Sequence, residues 1–261
     1  MSLMQKLERI QKKKTNLRDR LGAKLPICIL VDTSSSMNAH DNITRLNEGL
    51  GIYRQQLLDD PKTCDHIEIA IVEFGNGDTR LAVDFADLRE QHFPVFYADG
   101  ITPLCEAIEK GIEALDEQLS IYSSEGIICH PPHMIIMTDG DPTLSDRVDE
   151  EGYGIPLQNT DQEFLDTFKK FNRFKEDKGL VSITISIGDN IENSFFLEQF
   201  ASSPENVLKM ADKENIVEFF KLLSRSTSVL TRGVPNPGNK LDLVSDDSKG
   251  VVSPWNQIRR S

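Results

Sequence analysis

No apolar run in the 261 residues approaches the ~20 that a helix needs to cross a bilayer. The N-terminus is charged and carries no apolar stretch before a cleavage site, so a secretory signal is not expected. Cysteine is scarce and scattered: Cys28, Cys64, Cys105 and Cys129 stand singly, with no C-x-x-C pair. That spacing speaks against zinc and against a disulfide framework, and for reduced structural cysteines in a cytoplasmic protein. A G-x-x-x-x-G-K-[ST] phosphate loop is missing, and the first strand is not followed by G-x-G-x-x-G, so neither nucleotide fingerprint applies. Internal repeats are absent, and Trp255 is the only tryptophan.

Positive charge is also in short supply. The formal net charge is −13, which disfavours general nucleic-acid binding. What basic charge there is gathers at the start. Residues 1–24 hold eight Lys/Arg against Glu8 and Asp19, a local charge of +6, which leaves −19 on the rest. That leader contains no aromatic residue between positions 5 and 24, so it lacks the stacking surfaces of a single-strand binder. Met1-Ser2-Leu3 precede a second methionine and are set aside from the fold reading. Met4, Leu7, Ile10, Leu17 and Leu21 then recur at helical spacing, interrupted by Lys14. Such a helix either packs on its own domain or docks on an acidic partner or membrane surface.

From residue 25 strands and helices alternate. LPICILVD (25–32) is continuously apolar up to its last residue, as a strand buried on both faces requires. Leu46, Leu50, Tyr53 and Leu57 mark a helix over 44–58. HIEIAIVEFG (66–75) is a second strand. Asn76-Gly77-Asp78 turns it back into RLAVDF (80–85), which predicts an antiparallel edge strand. Leu104, Ile108, Ile112, Leu115 and Leu119 define a helix over 102–119, and HMIIMT (133–138) is a further buried strand. Residues 140–160 read as a long acidic loop. Thr160 and Glu163 form a capping box ahead of Phe164, Phe168 and Phe171. A strand (180–188), a short helix (194–200), a strand (206–211) and a last helix (213–230) follow. The order predicts an α/β fold: an open, doubly wound, mostly parallel six-stranded sheet with one antiparallel edge strand and helices on both faces. The expected organisation is a basic helix or arm over 1–24, a domain over 25–233, and a flexible Pro/Gly/Ser/Asp-rich tail over 234–261.

In such a sheet ligands bind beyond the C-terminal strand ends, at the switch point of the strand order. Asp32 ends the first strand and runs into Thr33, Ser34, Ser35 and Ser36. Asp139 ends the strand after the central helix, and Thr102 sits where the loop ADGITPL enters that helix. The set is two carboxylates and several hydroxyls, with neither imidazole nor thiolate. Hard oxygens of this kind suit Mg²⁺, with Mn²⁺ or Ca²⁺ as further options. Each residue also has a plain structural reading. Thr102 before Pro103 fits an N-cap followed by proline at the first helical position, and Asp139-Gly140 fits a turn.

These segments resemble the von Willebrand factor type A (VWA) domain. DTSSS (32–36) fits its D-x-S-x-S, GITPLCEAI (100–108) its threonine loop and MTDGDPT (137–143) its T-D-G segment, over a span of about residues 25–230. The wording of the last two is most similar to the stand-alone bacterial branch associated with tellurium resistance. The resemblance implies a metal-ion-dependent adhesion site. Ser34 and Ser36 would ligate directly, Asp32 and Asp139 directly or through water, and Thr102 in one conformational state. A carboxylate (Asp or Glu) from a protein partner would complete the site. Ile101 departs from the G-G-T common in that loop. The resemblance also implies a non-enzymatic, cytoplasmic adaptor in a bacterial stress-response or conflict system, alongside kinases and phosphatases. The alternatives are a Mg²⁺-dependent phosphohydrolase and a chelatase-like complex subunit. The first is disfavoured because Ser34 stands where an aspartyl phosphatase needs its second Asp.

Overall fold

The computed structural model describes residues 4, 5, 8–10, 22–75, 78–187, 195–210 and 214–232. In chain order, β1 (Leu25–Asp32) leads through a 3₁₀ turn (Ser35–Asp41) into α1 (Asn42–Leu58) and the short α2 (Pro61–His66). β2 (Ile67–Phe74), β3 (Arg80–Val83) and the long α3 (Leu104–Glu125) follow. Next come β4 (His133–Thr138), β5 (Thr143–Val148), β6 (Gly154–Pro156) and α4 (Gln162–Lys178). β7 (Val181–Ile187), α5 (Phe195–Gln199), β8 (Val207–Met210) and α6 (Glu214–Thr231) complete the described chain.

The main sheet has the order β3-β2-β1-β4-β7-β8, parallel throughout except for β3, which runs antiparallel to β2 at one edge. β1 and β4 are central and fully buried, so both faces of each must be apolar. Alternate residues divide between two cores. Ile27, Ile29, Val31, Ile69, Ile135 and Ile183 face α1 and α6. Cys28, Leu30, Val72, Met134 and Ile136 face α3, α4 and α5. Each such side chain contributes about 1.5–3 kcal/mol on burial, and truncating one such as Ile29 to Ala costs about 2–5 kcal/mol. All four cysteines are free thiols. Burial pushes the Cys105 thiol up to about 12, which keeps it protonated and inert.

Several expectations need correction. Residues 140–160 are no mere loop, because β5 and β6 pair as a two-stranded antiparallel sheet. None of their side chains is fully buried, and Thr143–Val148 does not alternate apolar with polar residues, so no pattern announced them. The Thr160/Glu163 capping box does not form. Asp161 is the N-cap residue of α4, and Glu163 is drawn away by the hydroxyl and N–H of Ser145. α2 was not anticipated, although its signal was present: Asp60 accepts from the Thr63 N–H and hydroxyl, with Pro61 at the first helical position. α3 runs on to Glu125, because Ile121 and Tyr122 are buried and Gly126 caps it in the left-handed region.

Of the basic leader, residues 4, 5 and 8–10 are helical. Arg9 pairs with Glu117 of α3 and with Asp84 (3.4 Å), and Ile10 packs against Ile121 and Tyr122. The Asn76-Gly77 turn and the tail beyond 232, with Trp255, lie outside the described residues. Among the described residues, no helix is long and apolar enough to cross a membrane.

Candidate metal centre

Strand register decides where the oxygens go. Asp32 pairs with Phe74 of β2, and Val31 with Met137 of β4, so Asp32 and Thr138 leave the sheet side by side. The chain winds outward from β1 in both directions here, which makes it the switch point. Thr33 then clasps the end of β2: its N–H and hydroxyl both donate to the Phe74 carbonyl (2.7 and 3.2 Å). Gly75 has φ +131°, and a Cβ there would come within 2.3 Å of the Ser34 nitrogen. Only glycine lets the serine turn cross β2 this closely.

Six side chains then close a network. The Ser34 N–H donates to Asp32 Oδ1 (2.7 Å), and Thr138 donates its hydroxyl to Asp32 Oδ2. Ser34 Oγ and Ser36 Oγ share a hydrogen bond (2.9 Å), and Ser36 Oγ donates to Asp139 Oδ1 (2.6 Å). Asn42 Nδ2 holds the other oxygen, Asp139 Oδ2, at 3.0 Å. The loop before α3 is stitched to the same turn. The Asp99 N–H donates to the Thr33 carbonyl (2.8 Å), and the Ser35 N–H to the Gly100 carbonyl (3.0 Å).

Thr102 does not cap α3. Pro103 occupies the N-cap position, and no side-chain cap bond forms there. The Thr102 side chain is buried, and its hydroxyl makes no hydrogen bond among the described residues. It faces the same point as the serines. A Cβ built on Gly140 would lie 3.1 Å from Ser36 Oγ and 3.5 Å from Thr102 Oγ1. Of the expected set, Asp32, Ser34, Ser36 and Asp139 are thus joined in one network, and Thr102 Oγ1 stands beside it. Sequence reasoning missed Asn42, Thr138 and Gly75. Thr138 was visible inside M-T-D-G, but a helix-start Asn such as Asn42 carries no signal of its own.

Both carboxylates are fully buried. Burial pushes Asp32 up to about 7, with the Asp139 charge adding to it and hydrogen bonds from Ser34 and Thr138 opposing it. Asp139 is raised for the same reason, against hydrogen bonds from Ser36 and Asn42. Two buried acids held above their ordinary range, next to a hydroxyl with no hydrogen bond among the described residues, form a cluster short of positive charge. The donors fit a hard divalent cation. Among the described residues, no group of three or more His, Cys, Asp or Glu could hold a metal, so any cation here must rest largely on hydroxyls.

No family model and no curated protein matches the chain. Solved structures do. A von Willebrand factor type A protein from Catenulispora acidiphila aligns over 79% of this chain and 43% of its own, at 15% identity and TM-score 0.54. The vWF domain of the type V pili tip protein Mfa5 from Porphyromonas gingivalis aligns over 83% and 99%, at 11% identity and TM-score 0.53. The pilus adhesin SpaC from Lactobacillus rhamnosus GG aligns over 79% and 31%, at 12% identity and TM-score 0.58. The chain therefore spans less than half of two of these three. At such identities the likeness speaks to architecture, and the architecture is that of a vWA domain.

Proposed function

We propose that the chain is a Mg²⁺-dependent protein-interaction module with no catalytic step of its own. The observation that carries this reading is the Thr102 hydroxyl, which has no hydrogen bond among the described residues and faces the Ser36–Asp139 hydrogen bond across Gly140. Ser34, Ser36 and Thr102 would offer hydroxyl oxygens, and Asp32 and Asp139 the charge. Bound there, Mg²⁺ supplies an electrophilic position that a partner Asp or Glu can fill. Two carboxylates and neutral hydroxyls balance a divalent charge but leave none to repel such a group, so the contact is charge-assisted and directional.

The surroundings favour a partner that also carries Lys or Arg. A groove of about 450 Å³ lies between α3, α4 and β5, lined by Glu106, Glu109, Asp146, Asp161 and Glu163 against a single basic residue, Arg147. Acidic walls disfavour a purely acidic partner and nucleic acid alike. The sequence likeness to tellurium-resistance-associated proteins extends the proposal to a cytoplasmic adaptor in a bacterial stress-response or conflict system, working with kinases or phosphatases.

The phosphohydrolase alternative meets a physical obstacle. Asp32, the strand-end carboxylate placed as an aspartyl nucleophile would be, has both oxygens engaged, by the Ser34 N–H and the Thr138 hydroxyl, and is fully buried. The test is direct. Mn²⁺ binding is followed by electron paramagnetic resonance, and partner capture is compared in Mg²⁺ and in EDTA. Saturable Mn²⁺ binding lost in Ser34→Ala/Ser36→Ala, with capture lost in EDTA, supports the module. Capture undiminished in EDTA, or Mg²⁺-dependent phosphatase turnover that Asp32→Ala abolishes, overturns it.

A further inference from the structure

The β5–β6 hairpin stands beside the oxygen cluster and grips one residue of it. Thr143 opens β5 and takes both backbone groups of Thr102. The Thr102 N–H donates to Thr143 Oγ1 (3.1 Å), and the Thr143 N–H donates to the Thr102 carbonyl (2.9 Å). Thr143 is itself wedged. A Cβ on Gly154 of β6 would come within 2.6 Å of Thr143 Cγ2 and 3.0 Å of Ile101 Cγ2, so β6 lies flat against both the grip and the loop. The far side of the hairpin is anchored to α4, where Ser145 donates its hydroxyl and its N–H (3.3 Å) to Glu163. The Leu157 N–H closes the hairpin base on the Pro142 carbonyl (2.9 Å).

Thr102 is thereby held by its main chain, while its hydroxyl has no hydrogen bond among the described residues. A backbone fixed twice by one neighbour has little freedom to carry that hydroxyl elsewhere. Ile101, where a glycine would have allowed more conformations, lies under β6 and adds to the restraint.

We infer that Thr143 is a positioning residue for Thr102: the hairpin holds the threonine loop in one setting and so tunes how tightly the oxygen cluster binds its cation. This rests on the metal reading of that cluster. The physical basis is pre-organisation. A donor already fixed in its bound geometry spends no conformational entropy when the ligand arrives. Loss of the Thr143 hydroxyl frees only the Thr102 N–H, a change of one hydrogen bond, and lowers affinity about five- to tenfold.

The experiment uses the full chain with Mn²⁺ as the probe, in wild type, Thr143→Val and Thr143→Ser. Mn²⁺ affinity is read by paramagnetic resonance, and amide exchange of the segment holding Ile101 and Thr102 by mass spectrometry. Thr143→Val is expected to weaken Mn²⁺ about five- to tenfold and to speed exchange of that segment. Thr143→Ser, which keeps the hydroxyl, is expected to restore both. Should Thr143→Val lose its fold, Gly154→Ala tests the same grip by pushing Thr143 from behind, and must give the same pair of changes. Unchanged exchange, or unchanged affinity in a wild type that binds, overturns the inference. A wild type that binds no Mn²⁺ removes the metal reading alone, and exchange at Thr102 then decides whether Thr143 holds the loop.

Discussion

At the C-terminal ends of β1 and β4, Asp32, Asp139, Ser34, Ser36 and Thr102 meet; beside the N-terminal ends of the same strands, Lys24, His130 and His133 lie fully buried. The partners differ in kind. Lys24 Nζ donates to the Asp65 carbonyl (2.6 Å), His133 Nδ1 to the Pro131 carbonyl (2.9 Å) and His66 Nδ1 to the Ala23 carbonyl (2.9 Å). Close by, Glu68 accepts from Gln118 Nε2 and from the Tyr122 hydroxyl, both at 2.8 Å. Here polar side chains mostly finish main-chain turns or lock α3 to β2. At the other end side chains bond chiefly to one another, beside a Thr102 hydroxyl that has no hydrogen bond among the described residues. The first pole ties Lys24, His66 and one ring nitrogen of His133 to main-chain carbonyls and leaves both ring nitrogens of His130 and His133 Nε2 without a partner among the described residues, whereas the second gathers carboxylates and hydroxyls that face one point. The first should therefore answer to protons and the second to divalent cations.

The largest test of that contrast is pH. Burial pushes His133 down to about 4, with the Pro131 carbonyl opposing and His130 adding. An unfolded His takes its proton near pH ~6.5, and folded His133 refuses it until about 4. The unfolded state binds more protons in that window, so stability is lost as pH falls through it, by about 3 kcal/mol in all. Asp32 pulls the other way, because its folded form holds a proton up to about 7. The quantity to measure is therefore the difference between wild type and His133→Gln by urea unfolding in EDTA, from pH 7 to pH 4.5. Parallel curves would break the contrast.

Next in size is Tyr122→Phe, which deletes a buried hydrogen bond to Glu68 and should cost about 2 kcal/mol. It should leave the response to metal intact, because sites this far apart act additively. A lost metal response in this variant would mean that the poles are coupled. Third, Mg²⁺ or Mn²⁺ at about ten times its dissociation constant should add ~1.4 kcal/mol, or roughly 3–6 °C in melting temperature. Asp32→Ala should abolish the shift, and an equal shift in that variant would place the cation elsewhere. The smallest effect belongs to Asp141→Ala, beside the cluster but outside the donor set. It should change stability by no more than about 0.5 kcal/mol and keep the metal shift, and a lost shift would redraw the site.

Much of the architecture was legible because buried parallel strands write themselves as unbroken apolar runs, as in Leu25–Val31 and Met134–Met137. The antiparallel edge was legible from Asn76-Gly77, and the site from Asp32, Thr102 and Asp139, each at the end of a strand or loop where ligands gather. What stayed hidden was decided by tertiary contact. β5 is a strand because it pairs with β6 and is tied to Glu163, and nothing in Thr143–Val148 alternates apolar with polar. Asn42 reaches Asp139 because His40 and Asp41 turn the chain through the left-handed region (φ 54° and 60°), a conformation that non-glycine sequence does not advertise. Gly75 looked like any glycine until the serine turn crossed it.

The serine turn and Asp139 are bonded across 103 residues of chain, through Ser36 and Asp139 Oδ1. Closing a loop of that length is slow and entropically costly, and local structure cannot stand in for it. The cluster consequently exists only after β1 and β4 are side by side, late on the folding path. An unfolded chain offers a cation only scattered hydroxyls and carboxylates, which bind it feebly. Whatever these oxygens hold will therefore act as a brake on unfolding and give little help to folding, and its imprint will appear on the unfolding arm of a chevron.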